Sequence, residues 1–504
     1  MILFKLLKSY KCRTFGNTNI EISGLYHKDT EVKSGGLFFC LRGTRVDGTD
    51  YIKSAINNGA VAVVCEYEIP NLYGVTQVIV KNARDAMSNL SCVFFGNPAS
   101  KLKIIGITGT NGKTTTSTMI SRVLEFAGKK VALIGTNGIE FAGKNYKTEM
   151  TTPDPIELQF YFSKMVKNKC EYVVMEVSAH ALDLFKIEGF KFEVCVFTNL
   201  SEDHLDYFKN MENYFNAKSK LFTLNHSKYA IVNIDNEYGK ILAKRINMPY
   251  STYSIIEKTS YFASSIKTEN QTQKFYFNNQ YEFVINMAGR FNVSNAVAAI
   301  AVLRHFEVDI HVIKEAFFQM KQIEGRFNLF LVDGIKFIID YAHTPDGLEN
   351  LLISARDFAE SKKVIVVFGC GGNREVQKRA KMGEISSKLA DFVIISTDNP
   401  RFEDRYAIAK QIEKGITQNN YLIEINRSKA IKKAFEIAND GDVVVLAGKG
   451  CESYIEENGE KLPYSDYAEV EKLRRLKWEI IVWLLNVVFG DFYSHFWFLH
   501  LSFQ

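Results

Sequence analysis

A lysine followed by two threonines closes a glycine-rich run, Gly106-Ile-Thr-Gly109-Thr-Asn-Gly112-Lys113-Thr114-Thr115. Glycines let backbone N–H groups approach phosphate oxygens, and a helix N-terminus behind them favours the anion. In such a loop Gly109, Thr110, Asn111, Gly112 and Thr115 cradle the phosphates. Lys113 neutralises the terminal ones and Thr114 holds Mg²⁺. The spacing departs from the strict Walker form, because Ile107 stands where that form has glycine. Three further residues could join a phosphoryl-transfer site. Glu176 follows the apolar run from Tyr172 to Met175, and His204 lies soon after the run from Cys195 to Thr198. On residue type alone, Glu176 reads as a solvated strand-end carboxylate and His204 as a capping or packed histidine. Lys218, in the helical stretch from Glu212 to Phe222, reads as a solvated surface lysine.

The elements that must position these groups follow from pattern. Short apolar runs alternate with helical periodicity, the mark of parallel sheets covered on both faces. In such sheets ligands bind beyond the carboxyl ends of the strands. The runs Ala60 to Val64, Lys103 to Ile105, Val364 to Phe368, Phe392 to Thr397 and Val443 to Ala447 read as strands. After Lys113, Met119, Ile120, Val123 and Leu124 share one side of a helix. The expected fold class is therefore α/β in three domains. Residues 1–98 form a smaller α/β domain, 99–328 a central P-loop-type doubly wound sheet, and 329–477 a Rossmann-like domain. Residues 478–504 form an aromatic, apolar tail.

The 504 residues are 46% apolar and 24% charged, ordinary for a chain that buries real cores. A net charge of +5 with dispersed basic residues argues against a nucleic-acid partner. Eight cysteines include no CxxC pair, which favours reduced thiols over a disulfide framework or zinc knuckle. Met1 to Lys11 carries lysines inside its apolar run and lacks a signal-peptide cleavage pattern. A cytoplasmic protein is expected.

The loop GTNGKTT resembles that of the Mur ligases and the related folylpolyglutamate synthases. Further motifs fall in the Mur order: Thr151-Thr-Pro153, Met175-Glu-Val-Ser178, Thr198-Asn-Leu-Ser-Glu-Asp-His204, Gly289-Arg-Phe-Asn292, Asp340-Tyr-Ala-His343-Thr-Pro345 and Ala447-Gly-Lys-Gly450. The set is most similar to the type that adds the third residue of the wall peptide. The resemblance implies an ATP-dependent amide-bond ligase of peptidoglycan synthesis. It would join meso-diaminopimelate to UDP-N-acetylmuramoyl-L-alanyl-D-glutamate through an acyl phosphate. A lysine- or ornithine-adding relative and an inactive wall-synthesis scaffold are the alternatives. A monomer is expected, and the resemblance implies Thr114, Glu176, His204 and a carbamate on Lys218 as Mg²⁺ ligands. Lys113, Lys218, Glu176 and His204 would be catalytic, and Asn292, Asn295, Asp340 and His343 would lie near ATP.

The same resemblance assigns Asp29, Thr44, Thr151, Thr152, Ser178 and Lys186 to the UDP-linked substrate. Lys186 stands where most relatives have arginine, which weakens a two-pronged grip on an anion. Unaided, the two threonines before Pro153 are a turn. Arg374, Asp398, Asn399, Pro400, Arg401, Gly448 and Glu452 match contacts to the amino acid. Arg401 alone could be a surface ion pair, but a guanidinium suits the distal carboxylate of meso-diaminopimelate. Unpaired without that ligand, it would discriminate strongly against lysine. Asn373 and Cys451 replace the usual Asp and His beside this pocket.

All three tryptophans (Trp478, Trp483, Trp497) lie in the final 27 residues, whose charged groups are Glu479 and Asp491. Asn486, Asp491, His495 and His500 interrupt a span long enough for a membrane. A non-native or dispensable extension, a packed terminal helix and a membrane contact are the three readings, the first preferred.

Overall fold

The computed structural model describes residues 1–43, 46–269 and 271–475. Its three main sheets draw their strands from residues 13–79, 103–285 and 328–447. Thr44 and the tail 478–504 lie outside the described residues. Among the described residues no helix is long and apolar enough to cross a membrane.

The first sheet has five strands in the order Arg13–Phe15, Thr76–Ile79, Ala60–Cys65, Gly36–Phe39, Gly24–Tyr26, all parallel except the first. The helix Ala83–Phe94 covers it, started by Asn82, whose side chain accepts from the N–H groups of Arg84 and Asp85. That helix also ties the sheet to the rest of the chain. Cys92 Sγ lies 3.6 Å from Glu188 O, and Ser88 Oγ donates to Phe185 O.

The central sheet has eleven strands. Its middle is parallel, in the order Tyr250–Ser254, Ser227–Asn233, Phe192–Phe197, Lys103–Thr108, Tyr172–Glu176, Val131–Gly135. Alternation assigns each face. Ile105, Ile107 and Val174 pack under the helices Lys113–Phe126 and Arg290–His305, whereas Ile104, Val173 and Met175 face Leu158 and Phe162 of the helix Pro155–Lys167. Both edges differ from the parallel expectation. Hairpins add the antiparallel strands Gly138–Phe141 and Lys144–Tyr146 on one side, and Thr272–Phe277 and Tyr281–Ile285 on the other. Two- to three-residue turns such as Ala142-Gly143 and Asn278-Asn279-Gln280 permit only antiparallel return.

The third sheet runs Asn328–Val332, Ile335–Asp340, Val443–Ala447, Val364–Phe368, Phe392–Ile395, Tyr421–Ile423, parallel except for its first strand. One face packs on the helices Pro345–Ala359, Gln377–Leu389 and Arg405–Glu413. The other packs on Arg427–Ile437 and on residues 466–475, which are helical and bury Val470 and Leu473. A separate hairpin, Tyr454–Glu457 with Glu460–Pro463, follows the last strand.

Candidate active site

The phosphate loop joins the strand Lys103–Thr108 to the helix Lys113–Phe126. Gly109 and Gly112 have φ of +151° and +84°. A Cβ on Gly109 would sit 1.9 Å from Thr198 Oγ1, and one on Gly112 2.4 Å from Asn295 Oδ1. Neither position tolerates a larger residue, so the loop is sterically as well as conformationally specified. Lys113 Nζ donates to Gly109 O and Thr110 O at 3.0 and 2.9 Å. Burial lowers its pKa, while Glu176 and Asp203 act in the opposite direction.

Glu176 is the last residue of its strand rather than the one after it, and is buried. Its carboxylate accepts from Thr136 N and Thr136 Oγ1 at 3.0 and 3.2 Å. Lys218 is also buried, not a surface residue. Its Nζ donates to Gly109 O at 2.8 Å and lies 4.7 Å from the centre of the Tyr214 ring. Burial lowers its pKa strongly, and Lys113 adds to the shift. His204 has φ +58° and opens the short helix Leu205–Phe208. Its Nε2 lies 3.3 Å from Asp203 Oδ2. Desolvation lowers the imidazole pKa to about 3 against the pull of Asp203, leaving a neutral ring with a lone pair to offer. Burial alone would raise the pKa of Asp203, but His204, Lys378, His343 and Lys113 hold it at about 2. Among the described residues no three His, Cys, Asp or Glu side chains converge to hold a metal by themselves. Thr114, Glu176 and His204 all line the cleft, and their oxygen and imidazole groups are donor types that a divalent cation accepts.

Thr152 Oγ1 donates to Glu176 O at 2.9 Å and accepts from Ser178 N at 3.0 Å. Ser178 in turn caps the helix Ala179–Asp183 through Ala181 N. Thr151 Oγ1 lies 3.3 Å from Thr136 Oγ1, so the threonine pair is tied to the Glu176 turn. Lys186 is buried and ion-paired with Asp154 at 2.8 Å. Asp29 lies elsewhere, in the first sheet's domain, where its Oδ2 accepts from Ser54 Oγ at 2.5 Å. It is outside the cleft lining.

On the far side, the strand Phe392–Ile395 leads into Asp398, Asn399, Pro400 and Arg401. Arg401 has φ +52°. Its Nε donates to Glu456 Oε2 at 3.0 Å and its Nη1 to Gly372 O at 2.8 Å. The guanidinium is thus already paired and 20% exposed, rather than buried and unpaired. Asn399 Nδ2 donates to Glu452 Oε2 at 2.9 Å. Gly448 has φ +108°, and a Cβ there would lie 2.7 Å from Asp398 Oδ2. Arg374 is exposed and lines the cleft, with no hydrogen bond or ion pair among the described residues.

The residues expected near ATP divide into two kinds. Asn295 Oδ1 accepts from Thr116 Oγ1 at 3.3 Å and faces the loop, but Asn292 is wholly buried and holds Asn295 in place at 3.2 Å. Asp340 spends both oxygens on the N–H groups of Phe327 and Ala342, at 2.8 and 2.7 Å, and so shapes the start of the third sheet's domain. His343 Nδ1 lies 2.8 Å from Tyr341 O, and Lys378 Nζ donates to His343 O at 3.0 Å.

Sequence reasoning missed several groups. Arg326 Nη2 donates to Thr114 Oγ1 at 3.0 Å, and Asp346 Oδ2 accepts from Asn111 Nδ2 at 2.6 Å. Both bring the third sheet's segment onto the phosphate loop, a contact between residues more than 200 positions apart that no local pattern reveals. Lys449, wholly buried, donates to Asn399 Oδ1, Glu452 Oε2 and Tyr454 O at 2.7 to 2.9 Å. Asp203 and Lys449 lie inside runs singled out above, and their position there was the available signal. Together these walls enclose one cleft of about 2210 Å³. It is lined by Lys113 and Glu176, by Thr151, Ser178 and Lys186, and by Arg374, Arg401 and Glu452.

Three family models match the chain in order: "Mur ligase family, catalytic domain" over residues 21–94, "Mur ligase middle domain" over 107–303, and "Mur ligase, glutamate ligase domain" over 325–450. The UDP-N-acetylmuramoyl-L-alanyl-D-glutamate–2,6-diaminopimelate ligase 1 of Clostridium acetobutylicum is 41% identical over 461 residues, 90% of this chain and 95% of that protein. The corresponding ligase of Aquifex aeolicus is 40% identical over 461 residues, covering 90% and 94%. A solved structure titled as a ligase of the same name superposes with a TM-score of 0.64 at 28% identity, over 90% of this chain and 95% of that one. The fold extends further. Mycobacterium tuberculosis folylpolyglutamate synthase gives a TM-score of 0.60 at 16% identity, over 72% of this chain and 92% of that one.

Proposed function

Because this chain belongs to the Mur ligase family, we infer that it is an ATP-dependent amide-bond ligase adding 2,6-diaminopimelate to UDP-N-acetylmuramoyl-L-alanyl-D-glutamate in peptidoglycan synthesis. The observation that carries this reading is the single cleft, in which a phosphate loop, a threonine–serine wall and an arginine–carboxylate wall face one another. A carboxylate, a phosphoryl donor and an amine must meet in one place, and positioning supplies most of the acceleration.

A D-glutamyl carboxylate oxygen attacks the γ-phosphorus of ATP, and ADP leaves. The amine of the diamino acid then attacks the acyl carbon, phosphate leaves, and an amide remains. Lys113 lies at the loop to offset charge on the transferring phosphoryl group, and Arg326 adds a second cation beside Thr114. Mg²⁺, when bound, would neutralise the phosphate oxygens. Thr114, Glu176 and His204 would hold it. Lys218 takes up CO₂ as a carbamate: the neutral amine nitrogen bonds to carbon, and one proton is released. Its buried setting, which disfavours the ammonium, supports this assignment. Thr151, Thr152, Ser178 and Lys186 form the wall for the UDP-linked substrate. Arg374, the segment Asp398 to Arg401, Gly448 and Glu452 form the amino-acid end, where Arg401 takes the distal carboxylate of the meso isomer.

The enzyme acts as a monomer in the cytoplasm, where ATP is supplied. The test is a panel of meso-diaminopimelate, lysine and ornithine with UDP-muramoyl-dipeptide and ATP, reading phosphate release. Release with meso-diaminopimelate is expected; its absence with every amino acid would favour the scaffold reading. Release with lysine or ornithine alone would move the chain to that branch.

A further inference from the structure

The hairpin Tyr454–Glu457 with Glu460–Pro463 runs alongside the loop that carries Arg401. One of its residues makes three bonds to two amino-acid-pocket residues. Glu456 N donates to Asn399 Oδ1 at 2.8 Å, Glu456 O accepts from Arg401 N at 2.9 Å, and Glu456 Oε2 accepts from Arg401 Nε at 3.0 Å. Asn458 N further donates to Arg401 O at 2.7 Å. Arg401 sits in the left-handed region at φ +52°, which a non-glycine residue occupies only when its surroundings enforce it. With Nε on Glu456 and Nη1 on Gly372 O, the Nη2 edge of the fork makes no hydrogen bond among the described residues, and Arg401 lines the cleft.

We propose that Glu456 is a positioning residue that fixes the Arg401 fork for the distal carboxylate of the diamino acid, and so sets the preference for meso-diaminopimelate over lysine. This rests on the placement of Arg401 at the amino-acid end of the cleft. Two opposing effects of the Glu456 carboxylate have to be weighed. It anchors Arg401 through a charge-assisted hydrogen bond, and it repels a second carboxylate bound on the other edge of the same guanidinium. Glu456 is 28% exposed, so water and salt screen the longer-range repulsion more than the direct bond. Anchoring wins.

The two effects separate in a pair of variants. Glu456→Gln keeps a carbonyl oxygen for Arg401 Nε and removes the charge. Glu456→Ala removes both. KM for meso-diaminopimelate and for lysine, KM for ATP, and kcat are measured for wild type and both variants. KM does not depend on the fraction of protein that folds, so partial misfolding leaves the readout intact. If the alanine variant yields no folded protein, the glutamine variant and an aspartate variant are compared instead, the shorter side chain taking the place of the lost anchor. The expected result is a roughly tenfold rise in KM for meso-diaminopimelate in Glu456→Ala, the scale of one charge-assisted hydrogen bond. Glu456→Gln should stay within about threefold of wild type, KM for ATP should not move, and selectivity over lysine should fall with the alanine variant. An unchanged or lower KM in Glu456→Ala, or equal rises in both variants, overturns the anchoring role while wild-type turnover leaves the functional reading in place. A wild type that does not use meso-diaminopimelate overturns both.

Discussion

Lys113 and Lys218 donate to the same carbonyl oxygen, Gly109 O, at 3.0 and 2.8 Å. Ammonium groups on buried Lys218 and half-buried Lys113 sharing one acceptor are a poor arrangement electrostatically, and desolvation already lowers both pKa values. The strain is relieved if one amine is neutral, and a neutral amine is the form that reacts with CO₂. Lys218→Ala should therefore lose nearly all turnover, on the order of 10²-fold or more. Added acetate or formate should restore part of it by supplying a carboxylate in the vacated space. A fully active alanine variant would remove Lys218 from the site.

Lys113→Ala should reduce phosphate release by about 10²- to 10³-fold, because it deletes the loop cation that offsets developing charge. Its melting temperature should not fall, since the removed group is a half-buried charge whose pKa is already lowered by desolvation. Parallel thermal-shift and turnover measurements check both halves of this statement. Near-normal turnover in a folded variant would sink the assignment of the loop.

Much of this was legible because it is local. The phosphate loop announces itself within ten residues, and the alternation around Ile104 and Ile105 or Val173 and Val174 assigns sheet faces directly. Lys218 was legible only through family resemblance, since nothing in its helix distinguishes it from a solvated lysine. Its burial depends on the Gly109 carbonyl and the Tyr214 ring, contacts that only the folded chain shows. Arg326, Asp346 and Glu456 were not legible, because each meets its partner through packing of separate sheets or of a hairpin on a distant loop. The pairing of Arg401 was hidden for the same reason.

That pairing lowers the expected selectivity. With lysine bound, the Arg401 fork still has Glu456 and Gly372 O, so the cost of leaving its free edge unpaired is about 1–2 kcal/mol rather than that of an isolated buried charge. Wild-type kcat/KM for meso-diaminopimelate over lysine should then exceed unity by roughly 5- to 30-fold from this contact, and Arg401→Ala should erase that share. Competition assays with both amino acids present measure the ratio. An unchanged ratio in Arg401→Ala would place the discrimination elsewhere.

Stability should depend on pH through the histidines. Burial lowers the pKa of His27, His180, His204, His305 and His343. The unfolded chain, with histidines near 6.5, then binds more protons than the folded one below that pH. The histidine contribution to stability is therefore full above about pH 6.5 and falls as pH drops towards the folded-state values. Asp340, Glu157 and Glu375, whose pKa values burial raises, oppose this, but from ordinary values near 4. The melting temperature should be lower at pH 5.5 than at 7.5, and His305→Phe should narrow the difference. A melting temperature independent of pH over that range would show the rings are not held neutral.

Arg427 and Asp466 form an ion pair in which both side chains are fully buried, bonded through Nε and Nη2 at 2.8 Å each. Arg427 Nη2 also donates to Ala447 O at 3.0 Å, at the end of the central strand of the third sheet. Residues 466–475 thus close the core of this domain, with Val470 and Leu473 packed beneath. Asp466→Ala would strand a buried guanidinium and should cost about 3–5 kcal/mol, enough to abolish the cooperative transition of a marginal domain. Among the described residues that core runs to Leu473, and the tail 478–504 lies outside them. A chain ending at Lys477 should therefore keep full phosphate release, unchanged melting and higher solubility, whereas one ending at Ser465 should not fold. Circular dichroism melts and turnover of the two truncations decide between these outcomes. Loss of folding in the longer truncation would show that residues 478–504 belong to the domain.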